Sequence, residues 1–328
     1  MPKVSVIVPN YNHERFLVRR LSSVFEQTFQ NFEVIFLDDA SSDNSVEVMR
    51  QFAQDPRLKI ILNSKNSGSP FAQWQKGLEI AKGDYVWIAE SDDYCDHDFL
   101  YTLVNILDQN NDVGLTYCSS ILVDDAGSEK GIYNRYSRFI NSKLFSDDFC
   151  IDGVEVIRKM LVFQNIIPNA SAVVFRKSLV KGFNAHTTFK LAGDWFFWLE
   201  ILRKSKVCYL SNPINYFRIA SAKSQRIKGL AEGVYLLELL KIYKQLRTWV
   251  DLSMSNQFKA FHSHIWDWVS TDLDQKYSKQ VNNTIRTELL KSHRGELFNS
   301  QISLFLLFKL YRCVAIMRHF SKIANGRE

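Results

Sequence analysis

The chain has 328 residues, 46% hydrophobic and 23% charged, which is enough apolar material for a large core and too much for extended disorder. Its formal charge of +6 is modest and diffuse, compatible with an anionic ligand or membrane face but no argument for nucleic acid. No apolar run reaches the roughly 18 residues of a transmembrane helix, and the opening Val4-Ser5-Val6-Ile7-Val8-Pro9 reads as a strand rather than a secretory leader.

After that strand at 4–8, apolar runs at 32–37, 58–62, 85–89 and 114–118 alternate with amphipathic stretches at 14–27, 45–53, 70–81 and 98–109. Short buried strands alternating with helices predict an α/β fold with a mostly parallel sheet flanked by helices. From 124 to 152 the pattern weakens into a polar, aromatic-rich excursion of the length that functional loops reach. Periodicity resumes as a helix at 154–163, a strand at 171–175, a helix at 194–204 and a strand at 207–210. Beyond Gly229 the chain reads as helical almost to its end. The expected division is therefore 1–228, with a nucleotide-binding half to about 120 and an acceptor half at 121–228, followed by a helical region 229–328. Five cysteines, Cys95, Cys118, Cys150, Cys208 and Cys313, fit by their irregular spacing neither a disulfide framework nor a CxxC metal site. A reducing cytosol is the simplest reading.

The chemistry gathers at strand ends. Tyr85-Val86-Trp87-Ile88-Ala89-Glu90-Ser91-Asp92-Asp93 carries a buried strand into two adjacent carboxylates at its carboxyl end, where open α/β sheets bind ligands. Neighbouring aspartates repel and resist desolvation, so the pair calls for a cation or a ligand hydroxyl, or else is a solvated turn capping the next helix. A second pair, Asp38-Asp39, closes the 32–37 strand. Ser42 or Asp43 can cap the helix after it, but capping does not require two aspartates on the strand. Neither GxGxxG nor GxxxxGK[ST] occurs, so a nucleotide would be held by carboxylates and loop backbone. Cys95-Asp96-His97-Asp98 has no partner ligands at metal spacing and reads as a helix start capped by Asp96.

In order and spacing, Val6-Ile7-Val8-Pro9-Asn10-Tyr11-Asn12, Asp38-Asp39-Ala40-Ser41-Ser42-Asp43, Ala81-Lys82-Gly83-Asp84-Tyr85 and Ser91-Asp92-Asp93 resemble family 2 glycosyltransferases of the GT-A fold. The resemblance implies a nucleoside-diphosphate-sugar site with Pro9 and Tyr11 against the base and Asp39 accepting a hydrogen bond from base or ribose. Asp92 and Asp93 would form the acidic pair, Asp92 on the nucleotide side and its last member, Asp93, coordinating Mn²⁺ or Mg²⁺ on the diphosphate. It further implies inverting transfer, with the general base opening a helix about a hundred residues on. The matching segment is Leu191-Ala192-Gly193-Asp194-Trp195, which makes Asp194 the candidate base, a helix cap being the alternative. Many relatives carry Glu-Asp there, and Gly193 replaces the glutamate. Where many carry Ala-Arg-Asn, this chain has Ala72-Gln73-Trp74-Gln75, and Trp74 cannot replace an arginine's charge, so phosphate binding would lean on Lys76, Arg218 or the cation. His186 and Asn169 are candidate acceptor or sugar contacts, Asn169 fitting a turn equally well.

No QxxRW motif follows the base, which favours single additions over polymer extrusion. The implied partners are a nucleoside-diphosphate sugar and a saccharide or lipid-linked saccharide acceptor in cell-surface polysaccharide synthesis. A catalytically silent nucleotide-sugar-binding scaffold and a sugar nucleotidyltransferase are the alternatives. Near the end, the apolar run from Ile302 to Leu310 with Lys309, Arg312, Arg318 and Lys322 has the composition of an interfacial helix on an anionic bilayer. A core or homodimer helix fits it as well. The expected location is the cytoplasm, peripheral to the inner membrane face if that helix binds lipid.

Overall fold

β1 (Val4–Asn10) is buried along its whole length and pairs in parallel with β2 (Phe32–Asp38) on one side and β4 (Tyr85–Ile88) on the other. A strand enclosed on both faces and both edges must be mostly apolar, and its two buried polar side chains, Ser5 and Asn10, are hydrogen-bonded to Glu33 and Asp38 of β2. The computed structural model describes residues 1–134, 136, 137, 139–182, 189–219, 229, 231–270 and 275–293. Outward from β2 lies β3 (Leu58–Leu62), also parallel. On the far side of β4, β9 (Val173–Arg176) runs antiparallel to both β4 and β6 (Val113–Val123), and β6 pairs in parallel with β10 (Lys206–Arg218). The two-residue β5 (Tyr94–Cys95) closes the order β3-β2-β1-β4-β9-β6-β10-β5, while β7 (Glu129–Ile132) pairs with β6 and β8 (Phe149–Asp152) with β10. The sheet is mixed and flanked by helices: β9 runs antiparallel between two groups of parallel strands, and β5, β7 and β8 add antiparallel pairs to β10 and β6.

The helices cover this sheet through ordinary amphipathic spacing. α1 (Glu14–Phe25) buries Phe16, Leu17, Leu21 and Val24, and α4 (Phe99–Gln109) buries Phe99, Leu100, Leu103, Val104 and Leu107 in the same core as Trp87. Between them come α2 (Ser45–Arg50) and α3 (Pro70–Ile80), the latter opened by a proline that needs no intrahelical partner. α5 (Gly153–Val156) runs on as a π-helical turn, Ile157–Leu161, and α6 (Gly193–Leu202) is apolar nearly all round.

Four expectations need correction. Strand β10 does not stop at Leu210, because Pro213 is absorbed where the register with β6 shifts between Leu210 and Asn215. Residues 171 and 172 belong to a 3-10 turn, Ala170–Ala172, and the strand starts at Val173. Asp98, not Asp96, occupies the cap position of α4, and its carboxylate accepts from Thr28 Oγ1 at 2.7 Å. Cys150 and Cys208 form a disulfide: they stand directly opposite in the antiparallel β8–β10 pair, their Cα atoms 4.0 Å apart. The pairing was hidden because it depends on β8, a strand the polar excursion gave no sign of. Cys95 and Cys118 are buried free thiols, and Cys313 lies outside the described residues.

The chain divides into two compact units. The first comprises Met1–Tyr136, Asn141–Ile157 and Asn165–Ser221 and contains the sheet. The second comprises Ser137–Ile140, Arg158–Gln164 and Ala222–Glu328. Its helices α7 (Val234–Trp249), α8 (Met254–Ser270) and α9 (Gln275–His293) pack through Leu239, Leu240, Tyr243, Phe261, Ile265 and Leu289, all buried. Among the described residues no helix is long and apolar enough to cross a membrane. The run at 302–310 lies outside them.

Candidate functional site

The carboxyl ends of β1, β2 and β4 lie side by side, and their loops are tied together by side chains. Asn10 and Asp38 are register partners, and Asn10 Nδ2 donates to Asp38 Oδ2 at 2.9 Å. Ser41 closes a turn on Asp38, donating through its backbone at 2.8 Å and through its hydroxyl at 2.6 Å. Next to these, Asn12 and Ala40 adopt φ of 55° and 60°, the left-handed region that costs a non-glycine residue free energy and collects at functional loops. The helices behind them cap each other: Asp43 accepts from Glu14 N at 3.0 Å, and Glu14 accepts from Asn44 N at 2.5 Å. Burial works against ionisation of Asp43, but hydrogen bonds from Ser45 and the Glu14 backbone, with His13 nearby, hold its pKa below the usual value.

Asp39 is buried and already enclosed by donors. Asn63 Nδ2 at 2.7 Å, Gln73 Nε2 at 2.8 Å, Ser67 Oγ at 2.7 Å and Ser67 N at 3.0 Å all point at its carboxylate. Gln73 thus bonds the acid directly, and Lys76 Nζ donates to Asn63 Oδ1 one step further out. Pro9 is buried inside β1, while Tyr11 is 46% exposed at the mouth of the loops.

At the end of β4 the two aspartates differ. Asp93 is buried: its carboxylate accepts from Arg218 N at 2.8 Å and also bonds Ser171. Asp92 is half-buried and meets Arg218 through its backbone carbonyl, which accepts from Nε at 2.8 Å. Arg218 Nη1 also donates to the carbonyl of Asp124, and its guanidinium lies 4.1 Å from the Phe16 ring. The guanidinium therefore fastens the acidic turn to the end of β10. Glu90 completes the cluster, held by Trp74 Nε1 at 2.9 Å. Burial, then the charge of Asp92, pushes Glu90 up to about 8, and the same two causes raise Asp93. Arg20 is the opposing charge. It is fully buried on the apolar face of α1, donates from Nε to the Glu90 carbonyl at 2.8 Å, and has no partner for Nη1 or Nη2 among the described residues.

α6 begins at Gly193, and Asp194 sits in its first turn, where the helix dipole favours a negative charge. Asn165 Nδ2 donates to Asp194 Oδ2 at 3.2 Å. No side chain fits at Gly193, because a Cβ there would stand 2.6 Å from the ring of Phe71. Phe71 in turn packs edge-on against Trp74 at 5.2 Å, and Trp74 against Phe197 at 5.7 Å, so one aromatic wall joins α3, α6 and Glu90. Asn169 caps the 3-10 turn, accepting from Ala172 N at 2.9 Å. His186 lies outside the described residues.

A model of glycosyl transferase family 2 matches residues 5–162, which contain both acidic pairs. Residues 5–162 belong to that family. An uncharacterized glycosyltransferase of Haemophilus influenzae is 38% identical over 112 residues, 34% of this chain and 44% of that protein. TarS of Staphylococcus aureus, a poly(ribitol-phosphate) beta-N-acetylglucosaminyltransferase, is 33% identical over 113 residues, 34% of this chain and 20% of its own. The TarS 1-349 structure with UDP-GlcNAc superposes with a TM-score of 0.67 at 18% identity, covering 88% of this chain and 81% of that one. A mannosyltransferase of Pyrobaculum calidifontis in complex with GDP-Man and Mn²⁺ gives a TM-score of 0.57 at 15% identity, covering 97% and 84%. The fold is GT-A. Across three curated relatives, the matched segments span only 42% to 47% of their length.

Within the family 2 domain, sequence spacing placed Asp39, Asp92 and Asp93 at strand ends but could not see what holds them. Gln73, Asn63, Ser67, Ser171 and Asn165 come from other elements, and only the fold brings them in. Arg20 did leave a signal, since it falls four residues after Phe16 and four before Val24 on the buried stripe. Two cavities of about 460 and 430 Å³ open at the opposite, amino-terminal ends of the strands, around Phe32 and Leu58 and around Val113 and Lys206. Neither is lined by Asp39, Glu90, Asp92, Asp93 or Asp194.

Proposed function

We propose that the chain is an inverting glycosyltransferase that moves a single sugar from a nucleoside-diphosphate sugar to a saccharide or lipid-linked saccharide acceptor in cell-surface polysaccharide synthesis. The observation that carries this is the row of carboxylates: Asp39 at the end of β2, Glu90, Asp92 and Asp93 at the end of β4, and Asp194 at the start of α6. Pro9, Tyr11 and Asp39 form the nucleoside end, with Tyr11 offering an exposed ring for stacking. Among the described residues no three His, Cys, Asp or Glu side chains converge into a ready-made cage. Carboxylates whose burial and mutual repulsion raise their pKa still fit a hard divalent cation, Mn²⁺ or Mg²⁺, that completes its shell with diphosphate oxygens and water. Asp93 would hold it, anchored by the Arg218 backbone, with half-buried Asp92 beside it on the nucleotide side. When bound, the cation neutralises charge on the departing diphosphate.

The chain's own residues supply the rest. Asp194 takes the proton from the acceptor hydroxyl, whose oxygen bonds to the anomeric carbon as the bond from that carbon to the diphosphate breaks on the opposite face. Inversion follows from that single displacement. UDP-GlcNAc and GDP-Man, the ligands of the two structural neighbours, are the first donors to try. The reading is tested by thermal shift with UDP or GDP and Mn²⁺, since a ligand of the native state raises its melting temperature. Stabilisation should need both nucleotide and cation and vanish in Asp92→Ala and Asp93→Ala. No shift in the unmutated protein, or equal shifts in all three proteins, would refute it. Asp194→Asn should keep that shift while transfer drops roughly 10²- to 10⁴-fold.

A further inference from the structure

Asn165 has its amide orientation fixed by two bonds. Oδ1 accepts from Ile167 N at 3.1 Å, so Nδ2 is the end turned toward Asp194, to whose Oδ2 it donates at 3.2 Å. The main chain of Asp194 is fixed separately. Phe196 N closes the first turn on the carbonyl of Ala192 at 3.2 Å, and a Cβ at Gly193 would stand 2.6 Å from the Phe71 ring. The last torsion of an aspartate side chain is broad unless its oxygens are held. The bond from Asn165 assigns one of them, Oδ2, to the protein.

We propose that Asn165 is a positioning residue for Asp194: it grips Oδ2, so that the carboxylate meets the acceptor hydroxyl in one orientation. The proposal rests on the reading of Asp194 as the base. Asn165 itself touches no substrate. Its effect should therefore appear in the rate of transfer, leave the donor KM alone, and exist only while residue 194 is a carboxylate.

The test is a double-mutant cycle read as nucleoside diphosphate release from UDP-GlcNAc or GDP-Man with Mn²⁺ and short oligosaccharide acceptors. Asn165→Ala should lower kcat roughly 10-fold or more, the scale of a hydrogen bond to a charged group, with donor KM unchanged. Asn165→Asp keeps the acceptor for Ile167 N but sets a like charge against Asp194, so it should lose at least as much and serves if the alanine variant folds poorly. In the Asp194→Asn background either substitution should cost less than about twofold more. Unmutated kcat in Asn165→Asp, beside a large loss in Asp194→Asn, would overturn the positioning role and leave the base standing. Equal proportional losses in both backgrounds would also overturn it, because Asn165 would then act independently of residue 194. Little loss in Asp194→Asn alone would remove the base and this proposal together.

Discussion

Glu90 and Asp93 set carboxyl groups where burial and a neighbouring charge oppose ionisation, and that has a measurable sign. Both carboxyls have pKa values raised above their unfolded values, Glu90 to about 8, by burial first and by Asp92 second. A raised carboxyl pKa means that stability is fully present below the unfolded value, near 4, and is lost as pH rises through the folded one. Without metal, the melting temperature should therefore fall between about pH 5 and pH 8. Mn²⁺ should oppose the fall, and Glu90→Gln should flatten it. A melting temperature independent of pH in chelator across that range would show that Arg20 already balances the site. Asp39 behaves differently, because its carboxylate is filled by Asn63, Ser67 and Gln73 before any ligand arrives. A nucleoside would have to exchange for one of those donors rather than add to them, which sets a small net gain per hydrogen bond and puts more of the affinity on the Tyr11 face and the cation.

Among the elements, β8 and β10 are joined by Cys150–Cys208 across 58 residues of chain. In the chain-entropy view, closing a loop of that size constrains the unfolded state by about 4 kcal/mol. Reductant should lower the melting temperature of the oxidised protein, and Cys150→Ser with Cys208→Ser should abolish that response. Equal melting curves with and without reductant would mean that the β8–β10 ladder is held by Tyr209, Phe145 and Phe149 alone, whose rings lie within 5.7 Å of one another. The same elements show what a sequence displays and what it hides. β1, β2 and β4 were legible because strands enclosed on both faces are dominated by Val, Ile, Phe and other apolar residues, with Ser5 and Glu33 the interior polar exceptions that bond each other. β8 alternates exposed and half-buried residues inside a polar stretch, and β10 contains Asn212-Pro213, which reads as a stop until the register shift against β6 is seen. Asp194 could be placed at a helix start from its neighbours, whereas Asn165 could not be matched to it: 29 residues separate them, and nothing local to either points to the other.

At the scale of the whole molecule, the family match ends at residue 162 while the sheet does not. β9 lies at Val173–Arg176 between β4 and β6, and β10 follows it, so a fragment ending at 162 lacks two of the strands that join the halves of the sheet. Such a fragment should fail to unfold cooperatively by circular dichroism, whereas the full chain should do so; a sharp transition in the fragment would show that the fold forms without β9 and β10. Removing residues from 300 onward tests the proposed lipid contact of the basic, apolar run there. Loss from anionic vesicles with nucleotide binding retained supports it, and equal vesicle binding by both forms excludes it. The place of β9 also bears on how the protein is made. Tyr85 pairs with Arg176, so β4 leaves the ribosome about ninety residues ahead of the strand that covers its free edge. At roughly 5–20 residues per second, that edge stays open for on the order of ten seconds in every round of synthesis. An uncovered apolar strand with Trp87 at its centre is a template for pairing with another nascent chain. Yield in the cell should therefore depend on elongation speed and chaperone supply, even though the finished sheet has no such exposed edge at β4.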